Sequence, residues 1–121
     1  HRQYISIKPE IDEAIERTIA QTSFIGGQAI KDFEIKFAEF LGVKHVIACA
    51  NGTDSIEILL QSMGVGDGDE VIVPAISWIS TAEAVTTVGA TPVFVDVHPE
   101  YYVIDTDKIE AKITDKTKAI I

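Results

Sequence analysis

Asn51-Gly52-Thr53-Asp54-Ser55 is the stretch with the most chemistry in it. An apolar run precedes it and a helical pattern follows it. It therefore stands where an open α/β sheet binds ligands, at the carboxyl end of a strand and the start of a helix. Unpaired backbone N–H groups and the positive end of the helix dipole favour a phosphate there. Gly52 lets the backbone come close to a ligand, and Thr53 either caps the helix or donates its hydroxyl to a phosphate oxygen. The same residues also read as a common Asn-Gly turn with ordinary capping. The pattern is neither a P-loop nor a dinucleotide glycine fingerprint.

Other candidates are single residues. Trp78 follows a second apolar run, so its indole either stacks on a flat cofactor at the same edge or packs in a core or interface. Glu83, in a stretch of small residues, either meets a polar ligand group or stands exposed on its helix. Asp96 ends a third apolar run and either orients a ligand or serves a turn. His1, His45 and His98 share no metal-ligand spacing, so no metal site is expected. Cys49 and the serines lack an elbow motif or an evident base. The lysines lie in polar contexts, none with the desolvated setting that activates an amine. The acidic loop from Asp67 to Glu70 reads as a solvated turn.

The elements that position these residues follow from periodicity. Pro9 suits a first helical turn, and Ile11, Ile15 and Ile19 repeat on one face of a helix running to about residue 21. Gly26-Gly27 breaks the pattern. A second helix carries Ile30, Phe33, Phe37, Phe40 and Leu41, and Gly42 stands at its C-terminal cap. Residues 45–50 form a short apolar run, read as a buried strand with Cys49 a buried thiol. Ile56, Leu59, Leu60 and Met63 mark a helix. Residues 70–74 are a strand, 77–88 a helix closed by Gly89, and 91–97 a strand. Residues 106–113 are a short helix with Ile109 and Ile113 inward, and 117–121 begin a fourth strand. Strand and helix alternate from residue 45, and the strands are continuous apolar runs. Both features predict an α/β fold, a mostly parallel sheet flanked by helices with right-handed crossovers. Residues 1–44 are a helical lead-in and 45–121 the first part of a larger α/β domain.

Composition narrows the function classes. Across 121 residues, 46% are hydrophobic and 24% charged, which excludes a disordered chain. Ten basic against nineteen acidic residues give a net charge of −9, a poor basis for binding nucleic acid or an anionic membrane surface. No apolar run approaches the ~20 residues of a membrane-spanning helix, and no secretory leader is expected. One cysteine and no possible intrachain disulfide fit a reducing cytoplasm. The chain opens on His1-Arg2 and closes inside a strand-like run at Ile120-Ile121, so a piece of a longer protein is expected.

From Ile11 to Ile121 the sequence resembles the N-terminal part of the DegT/DnrJ/StrS family of sugar aminotransferases. The resemblance is carried by Phe24-Ile25-Gly26-Gly27, Phe37-Ala38-Glu39-Phe40-Leu41-Gly42-Val43-Lys44-His45 and Asn51-Gly52-Thr53-Asp54. It continues through Gly66-Asp67-Gly68-Asp69-Glu70-Val71-Ile72-Val73-Pro74, Gly89-Ala90-Thr91-Pro92-Val93-Phe94-Val95-Asp96-Val97 and the run from Ile109 to Ile121. Gln3-Tyr4 with Ile7-Lys8-Pro9-Glu10-Ile11-Asp12 is similar to members acting on UDP-linked amino sugars. Each motif is weak alone; in order and at family spacing they are specific.

The resemblance implies the N-terminal part of a fold-type I transferase dependent on pyridoxal 5′-phosphate. Such enzymes move an amino group, usually from L-glutamate, to a keto group of a nucleotide-linked sugar. They are homodimers with active sites at the subunit interface, roughly three times this length and above the single-domain range. Gly52 and Thr53 match the family's phosphate-holding Gly-Thr, and Trp78 matches the aromatic position that stacks on the pyridine ring. The loop from Phe24 to Gly27 matches a segment near the dimer interface and sugar site. Glu83 stands where many relatives carry Asn. The family's Schiff-base lysine, and the Asp that pairs with the pyridine nitrogen, are expected beyond Ile121. No catalytic residue is therefore assigned within the chain, and by itself it is expected to be inactive. The alternatives are a dehydratase or regulatory relative, a non-catalytic phosphate-binding α/β module, and a purely structural fragment.

Overall fold

The computed structural model describes all of residues 1–121. The chain divides into two units, His1–Ala48 and Cys49–Ile121.

The first unit holds two helices. α1 spans Arg2–Ala20 and α2 spans Gln28–Leu41. α1 begins before the proline that was expected to open it: Pro9 lies inside the helix. A proline there forfeits one backbone bond. Flanking turns offset the loss, helped by the pairing of Lys8 with Asp12 one turn on. On α2, Phe33, Phe37 and Phe40 stack ring on ring along one face. Only Ala38 of this unit is buried. α2 ends as its glycine requires. Gly42 takes φ +67°, and the amides of Gly42 and Val43 return to the carbonyls of Glu39 and Ala38. That reversal satisfies two carbonyls the helix would otherwise leave open.

Residues 45–50 are not a strand. An apolar run supplies faces but no ladder, and a strand exists only through a partner. Here the Ala48 amide donates to Glu34 Oε1 at 2.8 Å, and Ile47 is 85% exposed. Cys49 is likewise exposed, its thiol directed to the Asn51 carbonyl, so the expectation of a buried thiol is overturned.

The second unit is an α/β layer. Its elements are α3 (Gly52–Ser62), β1 (Glu70–Pro74), α4 (Ser80–Thr87), β2 (Thr91–Val95) and β3 (Thr117–Ile120). The strands run parallel in the order β2-β1-β3. β1 is central, and Val71, Ile72 and Val73 are fully buried, as a run apolar on both faces demands. Leu60 of α3 and Val85 of α4 pack with Val71, Val73, Val65 and Ala90 in one cluster. α4 ends at Gly89 with φ +88°, where a Cβ would meet the Asp67 amide at 3.4 Å. The left-handed backbone is what disfavours a side chain there.

Two elements come out shorter than their patterns. β2 stops at Val95, because Val97 turns away to bridge Ile104 and the Asp105 amide binds the Asp96 carbonyl. Residues 106–113 form two 3-10 turns, Thr106–Lys108 and Glu110–Lys112, in place of one α-helix. Ile109 is half-buried between them, while Ile113 is exposed. The Lys108 ammonium holds Asp96 at 3.2 Å and Asp105 at 3.0 Å, which ties the first turn to the strand end. A segment this short gains little from continuing as α-helix. No helix of the chain is long and apolar enough to cross a membrane.

Truncating the central side chain should be costly. Ile72→Ala is expected to destabilise the protein by about 3 kcal/mol, read as a lowered urea midpoint. Gly42→Ala meets no atom within 4 Å, so its cost is the dihedral alone. A loss of about 1 kcal/mol is expected there.

Candidate functional site

Helix α3 begins in a way that leaves donors to spare. Asn51, in extended backbone, accepts the Asp54 amide on its side-chain oxygen at 3.0 Å. The Ser55 amide takes the Asn51 carbonyl at 3.1 Å. Asn51 is therefore the cap, not Thr53, in keeping with the high rank of Asn at that position. The amides of Gly52 and Thr53 are used by neither the cap nor a helical bond. A Cβ built on Gly52 would meet nothing within 4 Å. Gly52 does not need its missing side chain for packing, nor does its φ require a glycine. The open space in front of it is available to a ligand.

The loop after β1 supplies the opposite wall. Ala75 is anchored by its amide to the Val95 carbonyl at 2.8 Å, and α4 starts at Ser80, later than the pattern suggested. The residues before it are held by a bond between the Ser77 and Thr81 hydroxyls at 2.7 Å. This leaves Trp78 in the loop and 79% exposed, which sets aside the reading of it as a core residue within this chain.

Both walls meet in one depression of about 410 Å³. It is lined by Asn51, Gly52, Thr53, Ile56, Trp78, Ser80 and Thr81. Gly52, Thr53 and Trp78 are thus brought together from segments more than twenty residues apart. Its floor is joined by a hydrogen bond from Thr53 Oγ1 to Ser80 Oγ at 2.8 Å. No lysine or arginine lines it. Anion-attracting character comes from the two open amides, the Thr53 hydroxyl and the α3 dipole. This donor set suits a phosphate, and the exposed indole beside it suits a flat ring.

Asn51, Ser80 and Thr81 were not singled out as site residues by sequence reasoning. Asn51 was legible as an Asn three residues before Asp54, a cap pattern. Ser80 and Thr81 carried no signal, because only folding brings α4 against α3. The remaining candidates lie elsewhere. Glu83 is exposed on α4 and lines no part of the depression. Asp96 is committed to structure: its carboxylate accepts from the Val97 amide at 2.9 Å and pairs with Lys108. The Val97 amide first, and Lys108 second, hold it below the usual carboxylate range. In turn Lys108 is raised, by Asp105 first and then Asp96. The acidic loop is more ordered than a plain solvated turn, since Asp69 accepts the Gly66 amide and Glu70 accepts from the Thr114 hydroxyl.

Comparison with known proteins agrees with this architecture. An aminotransferase from Pseudomonas aeruginosa, named for UDP-2-acetamido-2-deoxy-3-oxo-D-glucuronate, is 44% identical over 98% of this chain and 33% of its own length. A pleiotropic regulatory protein from Geobacillus stearothermophilus is also 44% identical, over 98% of this chain and 32% of its own. The crystal structure of NtdA from Bacillus subtilis with bound cofactor PMP superposes with a TM-score of 0.91 at 37% identity. That match covers 95% of this chain and 26% of that one. The chain spans about a third of the length of the curated relatives it matches. The DegT/DnrJ/EryC1/StrS aminotransferase family profile matches residues 5–121, and with an ordered match over nearly its whole length the chain belongs to that family.

Proposed function

We propose that the whole protein containing this chain is a pyridoxal 5′-phosphate-dependent aminotransferase. It would transfer an amino group, with L-glutamate as donor, to a keto group of a nucleotide-linked sugar. The observation that carries this reading is the meeting of two open amides and an exposed indole in one depression, in a chain of this family. The cofactor assignment has further support from a structural neighbour that holds PMP. The protein is proposed to be cytoplasmic and to act as a homodimer. Residues 1–44 are proposed as the lead-in and 45–121 as the first part of the cofactor-binding domain.

The geometry supports a role for each residue. Gly52 and Thr53 hold the phosphate group through their amides and the Thr53 hydroxyl, at the positive end of α3. Trp78 would stack on the flat pyridine ring and shield one side of it from water. Asn51 keeps the donors aimed by taking up the Asp54 amide itself. When bound, the cofactor supplies the electron sink that amino transfer requires. The family's Schiff-base lysine is proposed to lie in the remainder of the whole protein. The 121-residue chain grips and orients, and the reacting groups belong to the remainder of the whole protein.

A second reading has one specific support: a relative of equal identity is named a regulatory protein. On that reading the same depression binds the cofactor or another phosphorylated ligand, and no amino transfer follows. Incubating the whole protein with glutamate and a keto-sugar nucleotide separates the two. Formation of 2-oxoglutarate with an amino sugar supports the enzyme; binding without turnover supports the regulator.

Gly52→Ala separates folding from binding. With no atom near the added methyl and no strain in φ, the thermal midpoint is expected to hold or rise slightly. Affinity for pyridoxal phosphate is expected to fall at least about tenfold, because the methyl occupies the approach to the phosphate. Equal affinity in Gly52→Ala would overturn the phosphate assignment. The isolated 121-residue chain, given cofactor, sugar nucleotide and glutamate, is expected to show no turnover in a 2-oxoglutarate assay.

A further inference from the structure

Ser80 is the one buried polar side chain of the protein, 8% exposed at the first residue of α4. It makes no capping bond; Ile79 holds the cap position. Its hydroxyl accepts from Thr53 and donates to no protein atom. A hydroxyl bonded in this way uses only part of its capacity, and burial makes that arrangement unfavourable unless a second partner exists.

Two hydroxyls 2.8 Å apart place only one of their two protons between them. Either oxygen can be the donor, since both C–O bonds rotate. When Thr53 donates to Ser80, the Thr53 proton is committed to that bond and is not offered to a ligand. When Ser80 donates to Thr53, the Thr53 proton is free to point into it. The second arrangement gives both protons an acceptor once an anionic oxygen stands in front of the two open amides, beside Thr53. Hydrogen bonds to a charged acceptor are the stronger kind, so an anion selects this polarity.

We propose that Ser80 is a positioning residue for Thr53: it donates to Thr53 Oγ1 and thereby turns the Thr53 hydroxyl proton toward a bound phosphate. This rests on the reading of Gly52 and Thr53 as the phosphate grip. No bond is made or broken; two hydroxyls rotate.

The test uses the whole protein freed of cofactor, with dissociation constants read from quenching of tryptophan fluorescence. The two probes are pyridoxal 5′-phosphate and pyridoxal, which lacks the phosphate. Ser80→Ala is expected to weaken pyridoxal phosphate about tenfold and to leave pyridoxal unchanged, the size of one hydrogen bond to a charged group. Ser80→Thr, which keeps the hydroxyl, is expected to retain the wild-type ratio of the two affinities. In Thr53→Val the ratio is expected to fall, and Thr53→Val with Ser80→Ala is expected to be no worse than Thr53→Val alone. Four results overturn the assignment of Ser80. They are equal weakening of both probes by Ser80→Ala, no effect of Ser80→Ala where Thr53→Val has one, multiplied effects in the double variant, and loss of the ratio in Ser80→Thr. A Thr53→Val variant with an unchanged ratio would instead remove the phosphate reading itself, and Ser80's role with it.

Discussion

Val71, Ile72 and Val73 lie fully out of solvent between two parallel neighbours, and the placement of the depression depends on that burial. Val71 and Val73 share their cluster with Leu60 of α3 and Val85 of α4. The strand therefore does more than hold β2 and β3 in register. It fixes the two helices whose N-terminal ends line the depression. Close packing makes such an arrangement stiff, because a displaced helix would open a void at Leu60 or Val85. Polar groups in the loops can then be placed to within hydrogen-bond distance without a bond network of their own.

Helix ends in this chain are used asymmetrically. α2, at Gly42, and α4, at Gly89, close by folding their last amides back onto earlier carbonyls. Little polar backbone is left for anything else. The beginning of α3 does the reverse. One side chain, Asn51, satisfies a single amide, and two remain open beside a glycine with free space before it. The difference is between an end that closes on its own carbonyls and one that keeps donors to spare. The Asp96–Lys108–Asp105 cluster shows the same economy in side chains: its charges are spent on each other and on the Val97 amide. A strand-end carboxylate so engaged serves the turn and not a ligand.

Much of the second unit was legible from residue order. The continuous run Val71-Ile72-Val73 announced a doubly covered parallel strand, and Gly42 and Gly89 announced helix ends, since only a left-handed residue makes those reversals. The open amides at the start of α3 were legible too, because a helix start leaves its first donors unpaired whatever its neighbours are. Residues 45–50 were misread because an apolar run carries no information about its partner. The same gap explains Cys49, whose burial was inferred from a ladder that the structure does not contain. For residues 106–113 the pattern was right about which way Ile109 faces and wrong about Ile113 and helix type. Short segments take their geometry from what tethers them, here Lys108.

By itself the sequence determined the local grammar: where helices stop, which strand is covered on both faces, and which helix begins with spare donors. These depend on neighbours in the chain, through dihedral sterics and the period of apolar residues. Its ordered motifs also determined the family. Only the tertiary structure decided that Trp78 lines one depression with Gly52, that Asn51 and not Thr53 caps α3, and that Ser80 lies 2.8 Å from Thr53. The last pair are 27 residues apart. Contacts at that separation are set by how α3 and α4 pack on one strand, and no local pattern encodes the distance between two helices.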